Sequence, residues 1–415
     1  MGGRKDSKGR VLRKGESQRE KYYIYQYTDL NHRRKVVYAK DLPELRIKER
    51  QIIRDLEDGL DVTKRASMTL NEAFDRYIAS RSDLKHSTQL SYNYLYNHYI
   101  RSGFGTRKIS AIQYSDVRAF FLSLAVDNKL SKKTLLMINS LINQIMRIAV
   151  RDNILRTNPA EGVMHELSRK NGLSEKKRHA LTVEEQTIFM KYAVEHPEFE
   201  QWIPILVIML GTGCRIGEVL GLRWDKDVDL NTGTIYISHS LLYKTLPNGK
   251  NGFYISTPKT EAGNRTIPMM AQVKEAFLKE KANQEKRNRK AKGYKKPVVD
   301  GYTNFVFTDP KYKKGIYDPT IINRVIKRII DSYNEEEKVK ATEERRTPIL
   351  LPHVTCHHLR HTFCSRYCEN ETNLKVIQDI MGHASITTTM NRYAEAMEAT
   401  KKESIANLDN KIIIM

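Results

Sequence analysis

Cysteine is scarce in this 415-residue chain: the four present, Cys214, Cys356, Cys364 and Cys368, all lie in its second half. They fit no disulfide framework for a protein of this size, so free thiols in a reducing compartment are expected. Long apolar runs are also missing. No eighteen consecutive apolar residues occur, so no segment reads as a membrane-crossing helix. The opening MGGRKDSKGR has no apolar h-region, and position 6 after Met1-Gly2 is neither Ser nor Thr. Neither a secretory signal nor myristoylation is therefore expected, and a cytoplasmic location follows. No internal repeat emerges.

Acidic charge is the remaining deficit. Lys and Arg number 71 against 49 Asp and Glu, a net charge of +22. Residues 1–65 hold 18 basic against 11 acidic residues, residues 66–165 hold 13 against 7, and residues 166–180 hold 5 against 2. The first 180 residues thus carry most of the excess. A surplus spread in this way suits a polyanion, because neutralising phosphates releases condensed counterions. Nucleic acid is the favoured partner, although a ribosome-associated protein or one with a chance surplus could share this composition.

The length suits two or three domains. Residues 21–28 (KYYIYQYT) and 34–39 (RKVVYA) read as a hairpin, residues 11–19 can supply a third strand, and residues 42–56 read as a helix packed on the sheet. A ribbon carrying Tyr25, Arg33, Arg34 and Lys35 could enter a major groove. After a break near residues 59–67, Thr69 and Glu72 form a capping box for a helix presenting Phe74, Tyr77 and Ile78. Apolar residues at three- and four-residue spacing then mark helices over 87–100, 115–124 and from Ser131 onward. Lys132 and Lys133, at the start of the last of these, could meet a phosphate. Asn158-Pro159 ends the helical part, and the polar, basic stretch 165–178 reads as a linker. From Leu181 longer helices alternate with short strands, including 234–238, 253–257 and 265–268.

The fold class expected is therefore multidomain: a small β-sheet plus helix N-terminal module, an all-α domain, and a mixed α+β, mainly helical, C-terminal domain. The boundaries fall at 1–65, 66–165, a linker at 166–180, and 181–415.

The chemistry lies in that last domain. Arg215 starts a helix in which Glu218, three residues on, can orient its guanidinium toward phosphate oxygens. Lys259 sits in Pro258-Lys-Thr-Glu-Ala-Gly263, read as a hairpin turn between 254–256 and 266–268, where a lysine could protonate a departing oxygen. His357 and Arg360, three apart, share a helix face, with His358 turned away and His361 packing or capping. Gly382-His383 precedes a plausible helix start, and Tyr393 follows ten residues later. A phenol with a pKa of about 10 is a poor nucleophile unless a positive field assists it. Two arginines, a lysine and two histidines supply that field and would stabilise a pentacovalent phosphorane. No metal and no cofactor is needed.

The segments TGCRIGEVLGLRW, TPKTEAGNRTIP, HHLRHTFCS and MGHASITTTMNRY, in that order and spacing, resemble the boxes of the tyrosine recombinase (phage integrase) family. The resemblance covers about residues 181–393; the α-helical segment before it is similar to that family's core-binding domain. The tyrosine-rich N-terminal module is similar to the arm-binding domains of conjugative-transposon integrases. The resemblance implies that Arg215 and Arg360 are the arginine pair, Lys259 the β-hairpin lysine, His357 and His383 the histidines, and Tyr393 the nucleophile. One departure is His358, where the family often has Asp. Residues 241–253, with Pro247-Asn-Gly249, look like an inserted hairpin.

By resemblance, too, the reaction is conservative strand exchange on double-stranded DNA attachment sites in a bacterial cytoplasm. It would be carried out by a homotetramer, with an excisionase and a host DNA-bending protein as accessory partners. Three other readings compete. His357 and His361 have ligand spacing beside Cys364 and Cys368, as in a zinc hydrolase, but the glutamate of a zincin helix is absent. A type IB topoisomerase would use the same residues for relaxation only, and a DNA-binding regulator would keep them as structure.

Overall fold

The computed structural model describes residues 4–30, 32–127, 129–170, 180–246, 250–258, 263–291, 293–312, 314–371, 373–382, 385–387 and 389–390. It divides into two compact units, residues 1–176 and 177–415. Among the described residues no helix is long and apolar enough to cross a membrane.

The first unit opens with an antiparallel sheet of β1 (Glu16–Arg19), β2 (Tyr22–Thr28) and β3 (Arg34–Ala39), with β2 in the centre. The register sets Tyr23 opposite Ala39, Tyr25 opposite Val37 and Tyr27 opposite Lys35. Because side chains alternate across a strand, these residues share the face covered by α1 (Leu42–Glu57), where Leu42, Leu45 and Ile52 complete a small core. That placement corrects the expectation for Tyr25. It is 9% exposed and stacked beside Tyr27, held in the packed face rather than presented to a ligand. The opposite face leaves Tyr22, Arg34, Val36 and Tyr38 exposed. Residues read as a break contain a short helix, α2 (Val62–Ser67), started by the side chain of Asp61.

Five helices follow: α3 (Leu70–Ser80), α4 (His86–Tyr99), α5 (Tyr114–Val126), α6 (Lys132–Arg151) and α7 (Val163–Lys170). The Thr69–Glu72 capping box forms as expected. Phe74 and Tyr96 stack with ring centres 3.7 Å apart, and the apolar stripe of α6, including Leu135, Ile138, Leu141, Ile142 and Ile145, runs through the same core. The stretch read as a linker from residue 165 is corrected in its first part. Val163, Met164 and Leu167 face one side of α7 and are buried in this core, while His165, Glu166 and Ser168 lie on its more exposed side. The rest of that stretch, 171–179, lies outside the described residues. Arg65 and Arg156 both pair with Asp55 of α1, tying the sheet module to the helices.

The second unit is mainly helical. It contains α8 (Val183–Glu195), α9 (Ile203–Thr212), α10 (Ile216–Gly221), α11 (Ala271–Lys290), α12 (Pro319–Glu343), α13 (Cys356–Asn370) and α14 (Leu374–Met381). Helix α9 is apolar nearly all round, and it lies between α11 and α13 as such a sequence requires. Strands β4 (Val228–Asp229), β5 (Thr234–Ile237) and β8 (Arg265–Pro268) make one sheet in the order β4-β5-β8, while β6 (Ser240–Thr245) and β7 (Asn251–Ser256) pair as a separate hairpin. The inserted hairpin is thus present. Residues 259–262, read as a hairpin turn, lie outside the described residues; of the strands that flank them, β7 pairs with β6 and β8 pairs with β5.

Candidate active site

Helix α9 ends at Gly213, whose φ of +62° places it in the left-handed region; a Cβ there would lie 2.3 Å from the Phe363 ring. The reversal lets Arg215 become the N-cap of α10. Glu218, at the third position of the helix, accepts from the Arg215 backbone N–H at 2.8 Å and from Arg215 Nη1 at 2.8 Å. The carboxylate thereby closes the helix end and orients the guanidinium, which remains 45% exposed.

Helix α13 supplies the second arginine. Thr355 and His358 cap its start, with Thr355 Oγ1 and His358 Nδ1 2.7 Å apart, so His358 is occupied at the helix end. His357 is exposed in the first turn and packs its ring edge-on against His361 at 4.4 Å. Three residues on, Arg360 is only 3% exposed. Its Nη1 donates to the Gly213 carbonyl at 2.5 Å and its Nη2 to the Met381 carbonyl at 2.6 Å. One guanidinium therefore clamps the end of α9 to the end of α14.

Sequence reasoning missed Arg265, the first residue of β8. It is 7% exposed, and its Nη2 donates to Glu218 Oε2 at 2.8 Å and its Nη1 to Oε1 at 3.3 Å. A signal existed: Ile267, two residues on and hence on the same strand face, is apolar, so Arg265 had to be buried and had to find a carboxylate.

The electrostatics follow from this crowding. Burial alone would raise the Glu218 carboxyl, but Arg265, with further contributions from Arg215 and Arg360, holds it down at about 2. Burial and the nearby charge of Arg215 lower Arg360 to about 10, which leaves it a cation at neutral pH. Burial pushes the Cys214 thiol up, so it stays neutral. Two guanidinium groups, Arg215 and Arg265, thus pair with one carboxylate while the Arg360 charge lies close by, a local excess of positive charge suited to an anion.

The structure brings Arg215, Glu218 and Arg360 together, with His357 on the same helix as Arg360. Lys259, His383 and Tyr393 lie outside the described residues. Among the described residues no group of three or more His, Cys, Asp or Glu side chains converges as a metal site would require. Cys364 and Cys368 instead pack with Ile377 and Met381. In the first unit, Arg33 and Arg34 are exposed, Lys35 is half-buried beneath the sheet, and Lys132 and Lys133 lie in the first turn of α6, with Lys133 the more exposed.

Residues 179–399 match the phage integrase family. The chain belongs to that family. Residues 1–56 also match the DNA-binding domain of Tn916 integrase. Over 408 residues, 95% of this chain, it is 31% identical to the transposase from transposon Tn1545 of Streptococcus agalactiae, covering 93% of that protein. It is 30% identical, over the same span, to the transposase from transposon Tn916 of Enterococcus faecalis. Among solved structures it is similar to the Tn1549 transposon integrase in complex with transposon right end DNA. The TM-score is 0.68 and the identity 29%, across 81% of this chain and 99% of that one. This phage integrase family member is accordingly an enzyme, a tyrosine-type site-specific DNA recombinase similar to transposon integrases. The topoisomerase and regulator readings are not favoured.

Proposed function

We propose that the chain integrates and excises a mobile element, with Tyr393 as nucleophile and Arg215, Lys259, His357, Arg360 and His383 as the groups that assist it. Arg215 and Arg360 hold the two non-bridging oxygens of the scissile phosphate. His357 takes the phenolic proton as the Tyr393 oxygen bonds to phosphorus. The bond from phosphorus to the 5′ oxygen breaks, and Lys259 delivers a proton to that oxygen. Charge on the pentacovalent phosphorane falls on the arginine pair and His383. The products are a 3′-phosphotyrosyl strand and a free 5′ hydroxyl. Attack by the partner strand's 5′ hydroxyl reverses the step, so bond energy is conserved and no nucleotide is consumed.

The observation that carries this reading is the cluster of Arg215 and Arg265 paired to the single carboxylate of Glu218, with the Arg360 charge close by and Arg215 keeping an exposed edge. The Tn1549 relative is bound to transposon end DNA in its structure, which supports the same substrate class here. For the N-terminal module, the open sheet face with Arg34, Val36 and Tyr38 is the DNA-facing surface, with Arg33 at its edge. Attachment sites, a homotetramer acting through a Holliday junction, an excisionase, a host DNA-bending protein and a cytoplasmic setting complete the proposal.

An assay with two differently labelled DNA sites tests it. Strand exchange between the two sites, with a transient four-way junction, is the expected product; relaxation of supercoils without exchange would refute it.

A further inference from the structure

We propose that Arg265 is a positioning residue for DNA cleavage, keyed to Glu218 so that Arg215 keeps its free donors for the scissile phosphate. The inference rests on the proposed function and adds to it a residue outside the proposed set of assisting groups.

The geometry is that of a hub. Arg265 meets Glu218 through both terminal nitrogens, donates Nε to the Ile380 carbonyl at 2.8 Å, and sets Nη1 3.5 Å from the Gly263 carbonyl. Each contact ends at a different stem of the proposed site. Glu218 orients Arg215. Gly263 directly follows residues 259–262, and Gly382, two residues after Ile380, directly precedes His383. Gly382 lies flat on the guanidinium: at its φ of +59° a Cβ would sit 2.9 Å from Arg265 Nη1.

A buried cation that only balanced a buried anion would need no such span, and Glu218 already has a partner in Arg215. The second guanidinium changes what the carboxylate does. With both oxygens engaged by Arg265 in a forked pair, Glu218 is held in one plane and its charge is shared. Without Arg265 the full carboxylate charge would fall on Arg215 and draw it away from the phosphate.

The test compares the full-length protein and its Arg265→Lys variant, which retains the buried charge but lacks the fork. The probe is a nicked duplex spanning the element's insertion junction, with either a normal scissile phosphate or an uncharged methylphosphonate at that position. On phosphate the variant should bind with unchanged affinity and cleave about 10²-fold more slowly in a single turnover, as expected of a misplaced catalytic group. On methylphosphonate, which has no charge for Arg215 to grip, variant and wild type should agree within about threefold. An equal loss on both substrates, or no loss on phosphate, overturns the inference. If Arg265→Lys does not fold, Gly382→Ala, which presses on the guanidinium without removing it, is judged by the same two ratios. Absence of any adduct with the wild-type protein, under conditions where it binds the duplex, would count against the proposed function and not against this residue alone.

Discussion

Arg215 and Arg360 carry the same charge under different constraints, and their substitution should separate catalysis from stability. Arg215 is half-exposed and held from one side by Glu218. Arg215→Ala is expected to slow single-turnover cleavage by on the order of 10² to 10³-fold, the cost of losing one donor aimed at developing charge. Its folding stability should move by no more than about 1 kcal/mol, because the Arg215 side chain is half-exposed and Glu218 keeps Arg265 as a partner. Cleavage kinetics set beside urea unfolding would check both statements; a large stability loss with unchanged cleavage would contradict them. Arg360, clamped between the Gly213 and Met381 carbonyls, is a structural fixture besides its proposed catalytic role, and its loss leaves two buried acceptors unpaired.

Between elements, the Glu218 carboxylate joins the start of α10 to β8. Its folded-state pKa of about 2 lies below the ordinary 4.5, so below pH 4.5 the unfolded chain takes up a proton that the folded chain refuses. The stability it lends is fully present above about pH 4.5 and is lost as pH falls toward 2. The full effect is of order 3 kcal/mol, the free-energy equivalent of that shift. Glu218→Gln should therefore be less stable than wild type at neutral pH and flatter between pH 4.5 and 2, as read from urea midpoints across pH. An unchanged acid limb would contradict the assignment. Legibility in the sequence follows the same division into elements. Arg215, Glu218, His357 and Arg360 were readable because each pair sits three residues apart on one helix. Arg265 was hidden because its partner is 47 residues away, across a sheet whose pairing the sequence does not declare. Tyr25 was misjudged because aromatic residues occupy both faces of β2, so alternation gives no phase. The helix α7 was hidden beneath a polar, basic composition, and nothing in the sequence announced that β8 would pair with β5 while β7 pairs with β6.

Across the whole molecule, the charge of +22 predicts DNA affinity that falls steeply with salt. The sheet module assigns part of that dependence to a face. Arg34→Ala should weaken binding and reduce the salt slope by about one, whereas Tyr25→Phe, a change inside the packed face, should alter neither. Affinity measured at several salt concentrations checks the pair, and the reverse pattern would place the DNA on the other side of the module. The central claim is chemical and is best tested on the full chain: incubate it with a nicked duplex carrying its recombination site, denature, digest, and find the peptide attached to DNA. The account predicts a 3′-phosphate ester on Tyr393, lost in Tyr393→Phe and strongly reduced in Arg215→Ala. An adduct on any other residue, or one that survives Tyr393→Phe, would contradict it.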